Sequence, residues 1–262
     1  MKRIINRSRL SIAFCLVMVL FSCEKEYEKH CQNQGVRGEI CKELRYENDV
    51  LVEAVTYEYG NNSLVYLKLH ENKNGSNIGQ VIYTYDGQNT LVSETFKNSK
   101  QEEVILSTWS YNAQQQEESN VSTVYGVKQE TKTTYDTNWV IQEKIYIDEV
   151  LKYNKVYQYF DNDTMSFNVF TYDQDSVLLT VAEHRQFDST TKRIEVYNQS
   201  GGLDNYYVHL YQSSGELIEK RTYDKNSTLI HQELYYYDNG KVDEYKLQST
   251  ATANKKIKYL RF

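Results

Sequence analysis

The five histidines are the side chains best suited to binding a transition metal. They are His30, His70, His184, His209 and His231. None of them occurs in a His-Glu-x-x-His spacing or in another spacing typical of metal ligands. We therefore predict no metal site and no cofactor.

Two acidic segments have the composition of a calcium loop. These are Asp161-x-Asp163 and Asp173-x-Asp175. An EF-hand loop also needs Gly at its sixth position and Glu at its twelfth, and neither segment has both. Successive turns of a meander lie at opposite ends of a strand, so the two segments would not pool their carboxylates. Turn formation is the predicted role of these aspartates.

No motif for nucleophilic or phosphoryl-transfer catalysis is present. The chain has no Gly-x-Ser-x-Gly elbow, no P-loop and no Cys-His dyad with a supporting acid. Its 36 acidic residues offer many accidental carboxylate pairs, so a pair suited to glycoside hydrolysis would carry little weight. We predict no catalytic residue and a non-enzymatic protein.

The elements that would position these residues are short β-strands. Aromatic or His residues precede polar turns at intervals of 10 to 15 residues from Tyr46 to Tyr237. The runs between the turns are rich in Val, Ile, Thr, Tyr and Phe, and no window has a helical apolar period. The total absence of Pro fits interior strands and tight primed turns. Residues 46–262 are therefore predicted to form an all-β, antiparallel hairpin meander of about fifteen or sixteen strands, as one curled or layered sheet without substantial helix.

A hypothetical register places candidate binding residues in two rows. If Tyr211–Glu216 and Tyr223–Thr228 close successive hairpins, His209 faces Ile218 and His231 faces Lys220. The two imidazoles then lie about 11 Å apart and cannot share zinc.

The same register groups Tyr207, Lys220 and His231 on one face, and Tyr206 and Arg221 with Ile230 on the other. These rows are the candidate binding residues for a sugar or a partner strand. Cross-strand packing explains them equally well.

A transmembrane barrel is the architectural alternative. The predicted strands are shorter than the 9 to 11 residues that a bilayer requires, and Lys, Glu and Gln occur on both faces. We therefore expect a sheet that does not span a membrane. Exposed edge strands in an open sheet would favour self-association.

Residues 1–22 have the organisation of an export signal. Four basic residues precede the twelve-residue apolar run from Leu10 to Phe21, which is too short to span a bilayer. Leu20-Phe21-Ser22-Cys23 resembles a bacterial lipobox, which implies acylation of Cys23 and a stable lipid anchor. The alternative is a plain secreted protein with Cys23 free.

Residues 23–45 are predicted to be an acidic tether. Loss of residues 1–22 changes the net charge from −6 to −10, which disfavours nucleic acid as a partner. Cys31 and Cys41 remain, with nine residues between them, and in an oxidising envelope compartment they are expected to form a disulfide. A metal site that includes His30 is the weaker alternative.

The turns carry a family resemblance. TYDGQNTL, TYDKNSTL and YYYDNGKV resemble the YD (RHS-like) repeats and related antitoxin-like tyrosine repeats of bacterial envelope proteins, which implies stacked β-hairpins. The acidic tether is similar to those of Bacteroidota lipoproteins exported to the outer membrane. Three Asp-(Ser/Thr) triplets resemble the O-glycosylation sequon of that group, with acceptors Thr164, Ser176 and Ser189.

Three functions follow as hypotheses. The first is an outer-membrane lipoprotein, facing either the periplasm or the cell surface, that binds a polymer or protein through a repeat surface without catalysis. The second, suggested by the repeat resemblance, is an immunity or antitoxin-like protein that binds one cognate protein. The third is a glycan hydrolase with an unrecognised site.

Overall fold

Eighteen antiparallel β-strands form one sheet in the computed structural model, which describes residues 39–60, 62–160, 163–250 and 252–261. The strands are β1 (Ile40–Glu47), β2 (Val50–Tyr59), β3 (Val65–Asn72), β4 (Asn77–Tyr85), β5 (Leu91–Asn98), β6 (Glu103–Tyr111), β7 (Glu117–Val124), β8 (Val127–Asp136), β9 (Trp139–Ile147), β10 (Val150–Phe160), β11 (Asp163–Asp173), β12 (Leu178–Gln186), β13 (Thr191–Asn198), β14 (Leu203–Tyr211), β15 (Leu217–Asp224), β16 (Leu229–Asp238), β17 (Lys241–Ser249) and β18 (Lys255–Arg261).

The sheet closes into a barrel. β1 pairs with β2 on one side and with β18 on the other, from Lys42↔Leu260 to Glu47↔Lys255. β18 also pairs with β17, and each strand from β2 to β17 pairs with its two neighbours in sequence. The all-β, antiparallel prediction is confirmed, and the described residues contain no helix. The open or layered sheet of fifteen or sixteen strands is wrong, because closure gives the edge strands β1 and β18 each other as partners.

The wall begins before the predicted domain boundary. β1 starts at Ile40, so residues 40–45, which we assigned to the tether, belong to the barrel. Four consecutive residues of β1, Cys41 to Leu44, are buried. Because side chains alternate between faces along a strand, both faces of β1 are covered here.

A five-residue turn recurs at both rims. The N–H of its first residue donates to the carbonyl of the fifth, and the N–H of the fourth donates to the carbonyl of the first. The fourth residue has φ between 62° and 95°. The first residues of these turns are Gly60, Asn72, Asp86, Asn98, Asn112, Asp173, Asn198, Gln212 and Asp224. This is the three-residue hairpin loop in which a type I turn precedes a left-handed residue that forms a bulge.

The first Asp or Asn holds such a turn through its side chain. Asp86 Oδ1 accepts from the N–H groups of Gln88 and Thr90, at 2.8 and 2.9 Å. Asp224 Oδ1 accepts in the same way from Asn226 and Thr228, at 2.9 and 2.8 Å. The aspartates of the Tyr-Asp pairs are thus turn anchors.

Six tyrosines tie the hairpins together at one rim. Their hydroxyl groups donate to a backbone carbonyl at the start of the preceding strand, at 2.7 to 3.0 Å. These rim tyrosines are Tyr59, Tyr85, Tyr111, Tyr135, Tyr159 and Tyr237, each at or near the end of an even-numbered strand. At the end of β18, Arg261 Nη2 donates to the Val242 carbonyl in the same arrangement. The structural repeat is therefore a two-stranded hairpin of 24 to 26 residues, which is the spacing of the first five rim tyrosines.

The two faces of the wall differ. The inner face carries Tyr57, Lys68 and Tyr83, where the Lys68 ammonium lies 4.9 Å and 5.0 Å from the centroids of the two rings. Burial is the main cause of a raised pKa at Tyr57 and Tyr83 and of a lowered pKa at Lys68. Side chains converge on the concave side of a closed sheet, so the burial identifies this face as the interior.

The outer face is charged along the strands. Arg193, Arg221 and Lys246 each form an ion pair there with a Glu two residues away, at 2.5 to 2.8 Å. Charged groups facing lipid at the bilayer midplane would cost about 2–4 kcal/mol each for Arg or Lys. The charges of the outer face therefore disfavour contact between this wall and lipid. The predicted strand lengths were wrong, because β2, β10 and β11 have 10 or 11 residues.

Among the described residues, no helix has the length and apolar composition needed to cross a membrane.

Candidate functional site

The interior of the barrel is polar and aromatic. Its side chains come from alternate positions of all the strands, and they include tyrosines, lysines and glutamates. All four histidines in the described part of the chain, His70, His184, His209 and His231, lie on this inner face. A barrel of 16–18 strands encloses more space than its side chains fill. The inner face is therefore the candidate functional surface.

Close to the seam between β1 and β18, the inner charges are paired. Arg45 Nε donates to Glu43 Oε1 at 2.5 Å, and its Nη1 donates to Glu53 Oε2 at 2.8 Å. His70 Nδ1 lies 2.6 Å from Glu53 Oε1, and the Tyr57 hydroxyl donates to Glu43 Oε2 at 2.7 Å. This network joins β1, β2 and β3 through hydrogen bonds and ion pairs, so it holds the closing strands together.

On β13 to β15, in contrast, the inner face carries a row of three basic side chains. Lys192, His209 and Lys220 lie directly opposite one another in successive ladders, and we call these three residues the cationic strip. The strip lies near the rim that carries the rim tyrosines, because Lys192 is the second residue of β13 and His209 is two residues from the end of β14. Glu233 on β16 is the next residue in the row, and its Oε2 lies 3.9 Å from Lys220 Nζ.

The environment of the strip suppresses positive charge. Burial lowers the pKa of Lys192. Burial, followed by the charges of Lys220 and Lys192, lowers the pKa of His209, while Glu233 opposes this shift. Burial and the charges of Lys192, His209 and Arg185 lower the pKa of His184 to about 4. At neutral pH these imidazoles are therefore uncharged.

The residues of the predicted binding rows lie on the predicted faces of the sheet, but their strands pair in a different register. His209 lies opposite Lys220 rather than Ile218, and His231 lies opposite Thr222 rather than Lys220. Each ladder is shifted by two residues, because the hairpin closes one residue later than assumed and a bulge adds one more. Both strand pairings are shifted by the same two residues. His209 and His231 therefore lie two strands and one diagonal step apart, as predicted.

The outer row is satisfied by its neighbours. Tyr206 stacks on Tyr223 with ring centroids 4.7 Å apart, and the Arg193 guanidinium lies 4.3 Å from the Tyr206 ring. Arg221 binds Glu219 through two hydrogen bonds of 2.6 and 2.8 Å. Cross-strand packing accounts for Tyr206 and Arg221.

The predicted inner row is divided between two rows of the sheet. Tyr207, Thr222 and His231 form one row, and Lys220 belongs to the next row, with His209. Sequence reasoning missed Lys192 and His184, which join this group only through the ladders of β12, β13 and β14.

Several predicted sites fall on residues that the structure does not describe. Cys23, Cys31 and Asp161 are outside the described residues, as are the side chains of Asp163 and Thr164. Lipidation of Cys23 and glycosylation of Thr164 stay predictions.

Other predictions are tested only in part. Cys41 is disulfide-bonded, but its pairing with Cys31 stays a prediction because Cys31 is not described. Ser176 and Ser189 are exposed, and their glycosylation also stays a prediction. Asp173 Oδ1 accepts from the N–H groups of Asp175 and Val177, which confirms its role in a turn.

Metal ligands are not grouped in the described ranges. No group of three His, Cys, Asp or Glu side chains there could hold a metal ion. A separate cleft of about 430 Å³ lies at the rim between the β6–β7 and β8–β9 turns. It is lined by neutral polar groups, including Asn112, Gln116, Thr133 and Asn138, with Glu118 as its charged residue.

Comparison with known proteins gives no family. No family model and no curated protein matches the sequence. A porin-like protein from Bacteroides uniformis is 11% identical, with a TM-score of 0.46, over 86% of this chain and 97% of that one. A porin-like protein from Bacteroides vulgatus is 9% identical, with a TM-score of 0.37, over 85% and 98%. The Tc holotoxin pore of Photorhabdus luminescens is 11% identical, with a TM-score of 0.34, over 79% of this chain and 15% of that one. All three TM-scores are below 0.5, so these likenesses identify neither a ligand nor an activity.

Proposed function

We propose that this chain is a lipid-anchored protein of the outer membrane whose closed barrel binds a polymer or protein through its inner face, without catalysis. The observation that carries the proposal is the contrast between the two faces. Arg193 and Arg221 of the outer face pair with glutamates two residues away. On the inner face at β13 to β15, Lys192 and Lys220 lie on either side of His209 beside aromatic rings, and Glu233, 3.9 Å from Lys220, is the one described acid within 4 Å of them. Charge that the fold does not neutralise is available to a ligand.

The anchor is supported by the sequence around Cys23. Acylation there would add two chains, which together hold a protein stably at a membrane. Metabolic labelling with palmitate in intact cells tests it. We expect a Cys23→Ser variant to lose the label and leave the membrane fraction, while Cys15→Ser, in the apolar run of the export signal, keeps both. Label retained by the Cys23→Ser variant would refute the anchor.

Binding by the inner face is tested with matched tyrosine variants of the lipoprotein purified in detergent micelles. Tyr207 lies on the inner face and Tyr172 on the outer face. We expect a glycan or protein ligand, found by array or by capture from intact cells, to be lost with Tyr207→Ala and kept with Tyr172→Ala. Equal loss in both variants, or no ligand at all, would refute inner-face binding.

The same experiments distinguish the alternatives. Capture of one cognate protein at high affinity would favour the immunity or antitoxin-like function. Turnover of a bound glycan, abolished by a single carboxylate substitution, would show that the protein is a hydrolase. Protease treatment of intact cells would show which way the barrel faces.

A further inference from the structure

The cationic strip places two lysines on either side of one imidazole. Lys192 and Lys220 are each cross-strand partners of His209, from the strands on its two sides. Directly opposed side chains have Cβ atoms about 4.5–5.5 Å apart, so a protonated imidazole beside either ammonium group would destabilise the sheet. An anion bound between the two lysines would offset that repulsion and favour protonation of His209.

Carboxylates do not balance the strip. Among the described residues, Glu233 is the one acid within 4 Å of it, at 3.9 Å from Lys220. The Lys192 ammonium instead lies 5.4 Å from the centroid of the Phe167 ring, and no ion pair of 4 Å or less joins it to a described acid. The strip therefore has more cationic groups than anionic partners.

Two buried nitrogens adjoin the strip. His184 Nδ1 and His231 Nδ1 are buried and have no hydrogen-bond partner. His184 lies opposite Ile194 on β13, one diagonal step from Lys192, and His231 lies opposite Thr222, one diagonal step from Lys220. Buried polar atoms are nearly always hydrogen-bonded, and a ligand beside Lys192 and Lys220 would be placed to give both nitrogens a partner.

Aromatic rings border the same surface. Phe167 stacks on His184 with centroids 4.2 Å apart and an interplanar angle of 12°. Tyr207 lies in the row next to the strip, and the Tyr235 ring centroid lies 5.8 Å from Lys220 Nζ. Ring faces stack well on the apolar faces of sugars, while lysine and imidazolium groups bind oxyanions.

We propose that the cationic strip binds the carboxylate or sulfate groups of an acidic polysaccharide that enters the barrel at the nearby rim, with its sugar rings against Tyr207 and Tyr235. This inference rests on the proposed binding function and gives its ligand class. Lys192 and Lys220 hold the oxyanion, His209 donates to it from between them, and His184 and His231 gain partners at the edges of the site.

The test is binding by the full-length lipoprotein in detergent micelles to three polymers. Polygalacturonate carries carboxylates, dextran sulfate carries sulfates and dextran is neutral. We expect at least one acidic polymer to bind and dextran to bind at least about 10-fold more weakly, because hydrogen bonds to charged groups contribute about 1.5–3 kcal/mol each. Lys192→Gln and Lys220→Gln should each weaken binding about 10-fold. Lys246→Gln, on the outer face and paired with Glu244, is the control and should leave binding unchanged.

A pH series separates this site from general attraction. Sulfate keeps its charge between pH 7.5 and 5, so a rise in affinity for dextran sulfate over that range reports protonation of the protein. Lys192, Lys220 and Glu233 face His209 from the neighbouring strands. We expect His209→Gln to reduce the rise, because the bound anion stabilises the imidazolium.

Three results would overturn the inference. They are the absence of binding by either acidic polymer, equal binding of dextran, and full affinity in the Lys192→Gln and Lys220→Gln variants. If a neutral glycan or a protein bound through Tyr207 with both lysines dispensable, the proposed function would stand and the acidic ligand would be wrong.

Discussion

The rim tyrosines give a quantitative test of the hairpin repeat. Each Tyr→Phe substitution removes one hydroxyl that donates to a backbone carbonyl at 2.7 to 3.0 Å, and it leaves the ring in place. A hydrogen bond of this kind contributes about 0.5–1.5 kcal/mol net. We expect Tyr85→Phe or Tyr111→Phe alone to lower the free energy of unfolding by about 1 kcal/mol.

The combined variant is the sharper experiment. The six tyrosines lie on different hairpins, and hairpins two strands apart are separated by about 10 Å, so their effects should be nearly additive. Replacing all six would then cost about 3–9 kcal/mol. The total stability of a domain is about 5–15 kcal/mol. We therefore expect the sixfold variant to unfold at a much lower urea concentration, or to be largely unfolded without urea.

A matched control separates the rim bonds from the loss of hydroxyls in general. The Tyr66 hydroxyl donates to Glu58 Oε2 at 2.6 Å, but this pair is exposed. Tyr66→Phe should leave the free energy of unfolding nearly unchanged. Urea denaturation of the purified protein, followed by far-ultraviolet circular dichroism, measures all of these values. Rim variants no less stable than Tyr66→Phe would refute the role of the rim bonds.

Three further substitutions test the turn, the packing and the titration. Gln101 has φ 66°, which costs a non-glycine residue about 1 kcal/mol, so Gln101→Gly should raise the melting temperature. Gly79→Ala should lower stability by about 1–3 kcal/mol, because a Cβ would lie 2.6 Å from the Phe96 ring. His184 has a pKa lowered from 6.5 to about 4, so the unfolded chain binds the extra proton, and stability falls as pH drops from 6.5 to 4. Because His184 is partly exposed, we expect this loss of unfolding free energy to be about 1–2 kcal/mol. His184→Phe should abolish the contribution of His184 to the acid sensitivity, and it keeps an aromatic ring against Phe167.

Each of these has a contradicting result, and thermal melts at several pH values supply the data. A lower melting temperature for Gln101→Gly would mean that the turn does not constrain φ in solution. A neutral Gly79→Ala would mean that Phe96 and the Lys97 carbonyl, 2.7 Å from the added Cβ, move without cost. An unchanged pH profile in His184→Phe would mean that other groups cause the acid sensitivity.

Local chemistry predicted the strands and turns well. The Tyr-Asp pairs end strands because an Asp at the first turn position accepts two backbone N–H groups, as Asp86 and Asp224 do. Paired left-handed residues at Asn239 and Gly240 form a tight primed turn, as the absence of Pro suggested. These features depend on five consecutive residues or fewer, so a single sequence contains them.

Closure and register depended on distant partners. The pairing of Glu47 with Lys255 joins residues more than 200 positions apart, and no local pattern specifies it. The two-residue error at His209 came from a bulge beside the turn. The signal for that bulge was present, because Gly215 is the fourth residue of its turn and Gly favours the left-handed conformation there. The spacing of the rim tyrosines was likewise visible as a two-strand repeat.

The sequence signal for the cationic strip lies in the residues two positions before and after each lysine. On the outer face, Arg221 and Lys246 have a Glu two residues earlier, and the side chains meet on one face as ion pairs. Lys192 and Lys220 have Thr190 or Ile194 and Ile218 or Thr222 at those positions.

A strand cation without an acid two residues away needs a partner on another strand or a ligand. Lys68 also lacks such an acid, but the charges of Glu43 and Glu94 on other strands oppose the lowering of its pKa by burial. Burial is the one cause of the lowered pKa of Lys192. The absence of an acid two residues away thus selects candidate cations from the sequence. Cross-strand pairing then shows which of these cations have no acidic partner and are available to a ligand.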